Sequence, residues 1–83
     1  MTMASVYVLK SLRNGKRYVG LTAEDIAKRL YEHNTGKNRW TRNNGPFQLV
    51  RVERYDDLVL ARRRERFLKS GSGRAFLDRV FPR

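Results

Sequence analysis

Residues 5–20 read SVYVLKSLRNGKRYVG, in which two runs of alternating apolar and polar residues flank Asn14-Gly15. Asn-Gly between two such runs indicates a β-hairpin, because both central residues of a type I′ turn need a positive φ. A two-residue loop at this dipeptide would place Tyr7 opposite Thr22 on the neighbouring strand. The chain is therefore predicted to open with an antiparallel hairpin.

The two faces of this hairpin differ in chemistry. Side chains alternate between the faces of a strand with a period of two. With strands over 5–11 and 16–21, Tyr7 and Tyr18 share one face, and Gly20 lies on that face beside them. Two phenols next to a residue without a side chain form a surface that a ligand can approach closely.

The composition predicts a polyanionic partner. The 83 residues include 19 Lys and Arg against 8 Asp and Glu, which gives a net charge of +11. A positive charge of this size favours nucleic acid as the partner. A ribosome-associated or protein-binding basic domain is the alternative that charge alone leaves open.

Several function classes are excluded by what the sequence lacks. It has no cysteine, which excludes disulfides, Cys-ligated zinc and thiol catalysis. The sequence contains no run of 18 apolar residues, so no membrane-spanning helix is predicted. The start, Met1-Thr2-Met3-Ala4, lacks the form of a signal peptide. We expect one cytoplasmic domain over 1–83, without membrane contact.

Beyond the hairpin, helix and strand signals alternate along the chain. Thr22 with an acidic residue downstream resembles a helix N-cap, and Gly36 suits the left-handed C-cap of the same helix. Asp56-Asp57 would favour the positive end of a second helix. The predicted elements are a helix over 24–34, a polar loop over 37–46, a strand over 47–55, and helices over 57–69 and 73–80.

The first predicted helix carries two polar residues beside its apolar face. Ile26 and Leu30 mark the core side, and Arg29 and His33 lie next to it, one helical turn apart. Their side chains can therefore reach a common point. A structural buried histidine and a solvated arginine are the alternatives.

Glu65 is the unusual residue of the second predicted helix. Leu58, Ala61 and Leu68 form an apolar stripe, and Glu65 falls inside it. A carboxylate in such a position must be ion-paired, metal-bound or protonated. A salt bridge to a basic neighbour such as Lys69 and a functional role are equally compatible with the pattern.

These motifs together resemble a known family. Val-Tyr-Val at 6–8, Tyr-Val-Gly at 18–20, KRLYEHN at 28–34 and RERFLK at 64–69 are similar in order and spacing to the GIY-YIG nuclease superfamily. The closest likeness is to its small single-domain bacterial members. The resemblance implies an α+β fold with a small three-stranded antiparallel sheet flanked by helices.

The resemblance also implies an activity, that of a metal-dependent endonuclease hydrolysing phosphodiester bonds. Tyr7 would position or deprotonate the attacking water, and Tyr18 would support it. Arg29 would bind the scissile phosphate, with His33 as an auxiliary proton-transfer or positioning group. Glu65 would be the carboxylate ligand of Mg²⁺ or Mn²⁺.

Further residues are expected to contact the substrate, which we expect to be DNA or RNA, with DNA favoured. Gly20 would leave room beside the tyrosines, and Lys28 and Arg42 would contact the strand. Trp40 would either stack on an unpaired base or pin its loop to the core. A homodimer or a helper protein is compatible with so small a chain.

The sequence departs from the family pattern at two places. Ser5-Val6 replaces the Gly-Ile of the first motif, and no asparagine follows Asn44, although many catalytic members have one that steadies the second tyrosine. The alternative function is therefore a nucleic-acid-binding module that retains the nuclease fold. In a catalytic member, we expect Arg29 and the bound cation to lower the pKa of the tyrosine or of the attacking water.

Overall fold

A computed structural model describes residues 3–36 and 39–81. Its sheet has three antiparallel strands in the order β2-β1-β3, with helices on both faces, which confirms the predicted α+β fold. The elements are β1 (Ala4–Ser11), β2 (Arg17–Thr22), α1 (Ile26–Asn34), α2 (Arg39–Asn44), β3 (Phe47–Tyr55), α3 (Leu58–Lys69) and α4 (Gly71–Val80).

The pairing within the hairpin differs from the prediction. Tyr7 lies opposite Gly20 rather than Thr22, a displacement of two residues. Only Gly15 in the loop has a positive φ, of 76°, so the loop is not a type I′ turn. Because a displacement of two residues preserves the alternation, every side chain keeps its predicted face.

Ser11 explains the longer loop. Its backbone N–H donates to the carbonyl of Lys16 at 2.8 Å, which closes the hairpin with four residues between the pair. Its hydroxyl accepts from the backbone N–H groups of Arg13 and Asn14 at 3.0 and 3.1 Å, and donates to the carbonyl of Asn44 at 2.5 Å. The turn is therefore shaped partly by a residue 33 positions away.

The helix α1 begins two residues later than predicted, because Asp25 rather than Thr22 is its N-cap. The Asp25 carboxylate accepts from the backbone N–H of Ala27 at 3.1 Å. Thr22 instead closes a local turn, with its hydroxyl accepting from the backbone N–H of Glu24 at 3.0 Å. Threonine and aspartate are both favourable N-cap residues, so the path of the folded chain decides which of them caps α1.

The prediction of a polar loop over 37–46 is wrong for most of that segment. Residues 39–44 form α2, which ends at a cis Gly45-Pro46 bond, while 37 and 38 lie outside the described residues. This short helix has no apolar stripe. Trp40 fixes it by packing against Phe47, a contact that helical periodicity does not show.

The last helix also begins earlier than predicted, at Gly71 rather than Gly73. The Ser70 hydroxyl caps it by accepting from the backbone N–H of Gly73 at 3.2 Å. A Cβ at Gly73 would overlap the backbone of Phe67 and Leu68. The Ser-Gly-Ser-Gly segment, predicted to be a break between helices, thus allows α4 to cross closely over α3.

The sheet has an apolar cluster on each side. The side that carries the predicted site packs against α1, and the opposite side packs against α3 and α4. None of the helices in the described ranges is long and apolar enough to cross a membrane. The buried members are Tyr7, Leu9 and Phe47 on the site side, and Ala4, Val6, Val8, Val19, Ala61, Leu68 and Leu77 on the other.

Candidate active site

Tyr7, Tyr18 and His33 form one aromatic cluster on the α1 side of the sheet. Tyr7 on β1 is buried, and its hydroxyl lies 2.9 Å from Nε2 of His33 on α1. The Tyr7 and Tyr18 rings lie 6.3 Å apart, and the Tyr18 and His33 rings 4.7 Å apart. The structure therefore brings together three of the residues that the sequence motifs indicated.

Arg29 joins this cluster through weak contacts. Its Nε donates to the Tyr7 hydroxyl at 3.4 Å, and its Nη1 donates to Oε1 of Glu32 at 3.4 Å. Both distances exceed those of strong N–H···O bonds. The Arg29 side chain is 35 % exposed. Its guanidinium can therefore exchange these contacts for a phosphate at small cost.

These contacts fix the direction of the hydrogen bond between Tyr7 and His33. A guanidinium has only donors, so the Tyr7 oxygen accepts from Arg29. The Tyr7 proton then points to Nε2 of His33, and this assignment of the proton places the His33 hydrogen on Nδ1. His33 is thus arranged as the acceptor of the Tyr7 proton.

The pKa shifts agree with this arrangement. They differ from the sequence-based expectation that Arg29 would lower the pKa of the tyrosine, because the pKa of Tyr7 is raised. Burial raises the pKa of Tyr7, and the hydrogen bond from Arg29 offsets only part of that rise. Burial, together with the charge of Arg29, lowers the pKa of His33. At neutral pH the pair is therefore a protonated phenol and a neutral imidazole.

Gly20 lies opposite Tyr7 on β2. A Cβ at this position would overlap the Tyr7 ring near its hydroxyl. Any larger residue would therefore push the phenol away from His33, so the glycine is a packing requirement of the cluster.

Trp40 closes the cluster on the side of α2. Its ring stacks on Phe47 with centroids 5.5 Å apart and an interplanar angle of 15°, and lies 5.3 Å from the Tyr18 ring. It remains 37 % exposed. Trp40 therefore pins α2 to the core and still presents part of its surface beside Tyr18, so the two sequence-based alternatives are compatible.

Asn34 positions the histidine, a role that the sequence pattern did not indicate. Its side-chain oxygen accepts from the backbone N–H of Phe47 at 2.7 Å, which ties the end of α1 to the start of β3. His33 precedes it on the helix, with its ring edge-on to Phe47 at 6.3 Å. No local signal could reveal this bond, since its partners are 13 residues apart.

Glu65 is half-buried and ion-paired rather than enclosed in the apolar stripe. Its side chain is 23 % exposed, and Oε2 lies 3.1 Å from Nζ of Lys69. Its negative charge contributes, as one of the smaller effects, to raising the pKa of Tyr7. Glu65 therefore lies within electrostatic reach of the tyrosine cluster, although α3 packs on the opposite side of the sheet.

The Glu65 carboxylate is a suitable ligand for a hard divalent cation. Its carboxylate already holds a cationic group, and Mg²⁺ is commonly bound by one or two carboxylates with waters and substrate phosphate completing the shell. Within residues 3–36 and 39–81 there is no group of three or more His, Asp or Glu that could enclose a metal. A cation here would therefore depend on the substrate for further ligands.

Lys28 and Arg42 lie on the surface. Lys28 is exposed and pairs with Glu24 at 3.0 Å. Arg42 on α2 is exposed and donates to the carbonyl of Gly36 at 3.4 Å. Their accessible charges suit contact with a nucleic-acid backbone, but neither side chain takes part in the hydrogen bonds of the tyrosine cluster.

Comparison with known proteins identifies the family. Residues 3–76 match the family model described as the GIY-YIG catalytic domain. The chain belongs to the GIY-YIG family. All five residues proposed for catalysis and metal binding lie within the matched segment, and membership places the chain among nuclease-type domains.

Small relatives of this GIY-YIG chain carry the name UPF0213. The UPF0213 protein SSP2268 of Staphylococcus saprophyticus is 37 % identical over 68 residues, covering 81 % of this chain and 80 % of the relative. The UPF0213 protein NP_0776A of Natronomonas pharaonis is 38 % identical over 66 residues, covering 78 % and 75 %.

A solved structure supports the fold of this GIY-YIG chain. The solution NMR structure of the UPF0213 protein BH0048 from Bacillus halodurans superposes with a TM-score of 0.56 at 29 % identity. The match covers 95 % of this chain and 85 % of that chain. The fold is therefore shared along nearly the whole length of both proteins.

Proposed function

We propose that this GIY-YIG chain is a nuclease that hydrolyses phosphodiester bonds, acting on DNA in preference to RNA with Mg²⁺ or Mn²⁺. The observation that carries the proposal is that the Tyr7 hydroxyl contacts both Nε2 of His33, at 2.9 Å, and Nε of Arg29, at 3.4 Å. A buried phenol in contact with both a base and a cation able to bind phosphate suits proton transfer from an attacking water.

The proton path begins with Arg29. When Arg29 turns from Tyr7 to a phosphate oxygen, the Tyr7 oxygen regains a lone pair that can accept a proton from water. Tyr7 then passes its own proton to the neutral His33, so that no free phenolate is required. General-base assistance of this kind contributes about 10²–10⁴-fold to rate.

Tyr18 and Glu65 complete the proposed site. Tyr18 is less buried than Tyr7 and lies against His33, where it can orient the attacking water. Glu65 would hold the divalent cation. When bound, the cation supplies Lewis-acid stabilisation of the negative charge that develops on the phosphate.

The second candidate function is a nucleic-acid-binding module without turnover. It is favoured by the lack of any asparagine after Asn44 and by the ion pair between Lys69 and Glu65. The net charge of +11 suits binding in either case. The two functions differ only in whether bound nucleic acid is cut.

The test is a cleavage panel over single-stranded, duplex and branched DNA and the matching RNAs, with Mg²⁺, Mn²⁺ or EDTA. Wild type should cut at least one substrate with metal, and Tyr7→Phe should lower the rate about 10²-fold or more while binding in EDTA persists. Tyr31→Phe is the matched control, because Tyr31 lies on α1 but is 69 % exposed. Nucleic acid that binds but stays uncut on every substrate would favour the module.

A further inference from the structure

A concave site on the α3 and α4 side of the sheet shares Tyr18 with the tyrosine cluster, which lies on the α1 side. A cavity of about 270 Å³ opens between β2, the end of α3 and α4, with Tyr18 in its wall. Three of its lining residues are cationic, and three others are aliphatic. The lining residues are Arg17, Tyr18, Val19, Leu68, Lys69, Arg74 and Leu77.

Two of the three cations are already held by carboxylates. The Arg17 side chain is only 7 % exposed, and its Nη2 donates to Asp78 at 2.6 Å and to the carbonyl of Phe81 at 3.1 Å. Lys69 pairs with Glu65 at 3.1 Å. These contacts fix the wall of the cavity but leave little charge available to a ligand.

Arg74 supplies the surplus charge. It is exposed, and its side chain forms no ion pair with any residue in the described ranges. It lies in the first turn of α4, which contains no acidic residue. The positive end of the α4 dipole disfavours a cation at this position. An anion in the cavity would therefore offset both the charge of Arg74 and the partial positive charge of the helix end.

We propose that this cavity binds a phosphate group of the substrate strand, adjacent to the scissile phosphate, with Arg74 as its main contact. The proposal rests on the nuclease site above, because Tyr18 belongs to both. Because β2 is an edge strand of the sheet, a nucleic-acid strand with one phosphate at Arg29 would reach the cavity by passing around this edge at Tyr18. The volume is below the roughly 300–1,000 Å³ of pockets for drug-sized ligands, which suits a phosphate with part of its sugar against the aliphatic lining residues.

The test compares dinucleotides that differ by one phosphate. Binding of TpT, and of TpT carrying an extra 5′- or 3′-terminal phosphate, is measured in EDTA, so that neither metal nor cleavage enters. In wild type, the extra phosphate at one end should tighten binding about tenfold, a typical value for hydrogen bonds to charged groups. Arg74→Gln should abolish that gain, and TpT itself should bind almost as before.

Arg79→Gln is the matched control. It removes the same charge from the same helix, and Arg79 is exposed but does not line the cavity. It should retain the gain from the extra phosphate. Equal gains in wild type and Arg74→Gln, or equal losses in both variants, would overturn the proposal. Failure of the nuclease hypothesis would show differently, as intact dinucleotide binding without cleavage of any substrate in metal.

Discussion

The Tyr7 hydroxyl contacts one hydrogen-bond donor and one acceptor, and these two partners set the protonation states of Tyr7 and His33. Arg29 can only donate to it, whereas His33 is left as the acceptor. Burial then acts against charge on both groups, raising the pKa of Tyr7 and lowering that of His33. A proton can move along this contact without either group being ionised beforehand.

The pH dependence of cleavage should follow His33. Because its pKa is lowered from 6.5, the imidazole stays neutral and able to accept a proton down to below that pH. We expect kcat/KM to stay flat through neutrality and to fall only on the acid side of pH 6.5. His33→Gln should remove this acid limb and lower kcat. A limb centred above pH 7 would assign the titration to another group.

The same shift predicts a pH-dependent stability. Below pH 6.5 the unfolded chain binds a proton at His33 that the folded chain resists, so the free energy of unfolding should decrease as pH falls through this window. Urea denaturation of wild type and His33→Gln at pH 7.5 and 5.5 measures it. The wild type should lose more stability than the variant, and equal losses would contradict the burial of a neutral imidazole.

At the scale of elements, faces could be predicted from sequence, but pairings and short helices could not. Alternation placed Tyr7 and Tyr18 on one face, and helical spacing placed Arg29 beside His33. The hairpin register depends on the bond from Ser11 to Asn44, and α2 depends on Trp40 packing against Phe47. Such long-range contacts leave no local periodicity to detect.

Lys69 and Lys28 offer a matched test of the proposed metal site. Each pairs with a glutamate four residues earlier, Lys69 with Glu65 at 3.1 Å and Lys28 with Glu24 at 3.0 Å. If Glu65 binds the cation, Lys69 competes with it. Lys69→Met should then tighten Mn²⁺ binding about 2–5-fold, the scale of an exposed ion pair.

Mn²⁺ affinity is read directly by electron paramagnetic resonance of the free ion. Lys28→Met should leave it unchanged, and Glu65→Gln should abolish the Lys69→Met effect. If the two lysine variants tighten Mn²⁺ binding equally, the gain reflects net charge alone and Glu65 loses its assignment.

Glu53 joins β3 to α3. Its carboxylate accepts from Arg51 at 2.6 Å, from Tyr55 at 2.8 Å and from Nε of Arg64 at 2.8 Å. Burial alone would raise the pKa of Glu53, but these hydrogen bonds lower the pKa to about 2. The stabilisation of the folded state by the ionised Glu53 carboxylate is therefore fully present above pH 4.5 and is lost as pH falls towards 2.

Glu53→Gln should lower the free energy of unfolding by about 2 kcal/mol at pH 7, because it leaves two arginines facing an uncharged amide. Glu24→Gln, which breaks an exposed pair, should cost less than about 0.5 kcal/mol. Chemical denaturation of both variants measures the difference. Equal costs would mean that the Glu53 hydrogen bonds contribute no more than a surface pair.

At the scale of the whole molecule, the charge is the property that acts over the longest range. The net charge of +11 follows from composition and could be known from sequence. Its distribution could not, since Arg17, Lys69 and Arg74 come from three elements that meet only in the folded chain. The fold thus converts a general attraction for polyanions into a cavity beside the tyrosine cluster.

Binding of nucleic acid should therefore depend strongly on salt. If about four to six phosphates are neutralised, log K on duplex DNA should fall with log[salt] with a slope of about −3.5 to −5.5, measured in EDTA. Loss of one phosphate contact in Arg74→Gln should reduce the magnitude of the slope by about 0.9, whereas Arg79→Gln should leave it nearly unchanged. A flat dependence in wild type would count against nucleic acid as the partner, because neutralising phosphates with the basic side chains of this chain releases counterions from the nucleic acid.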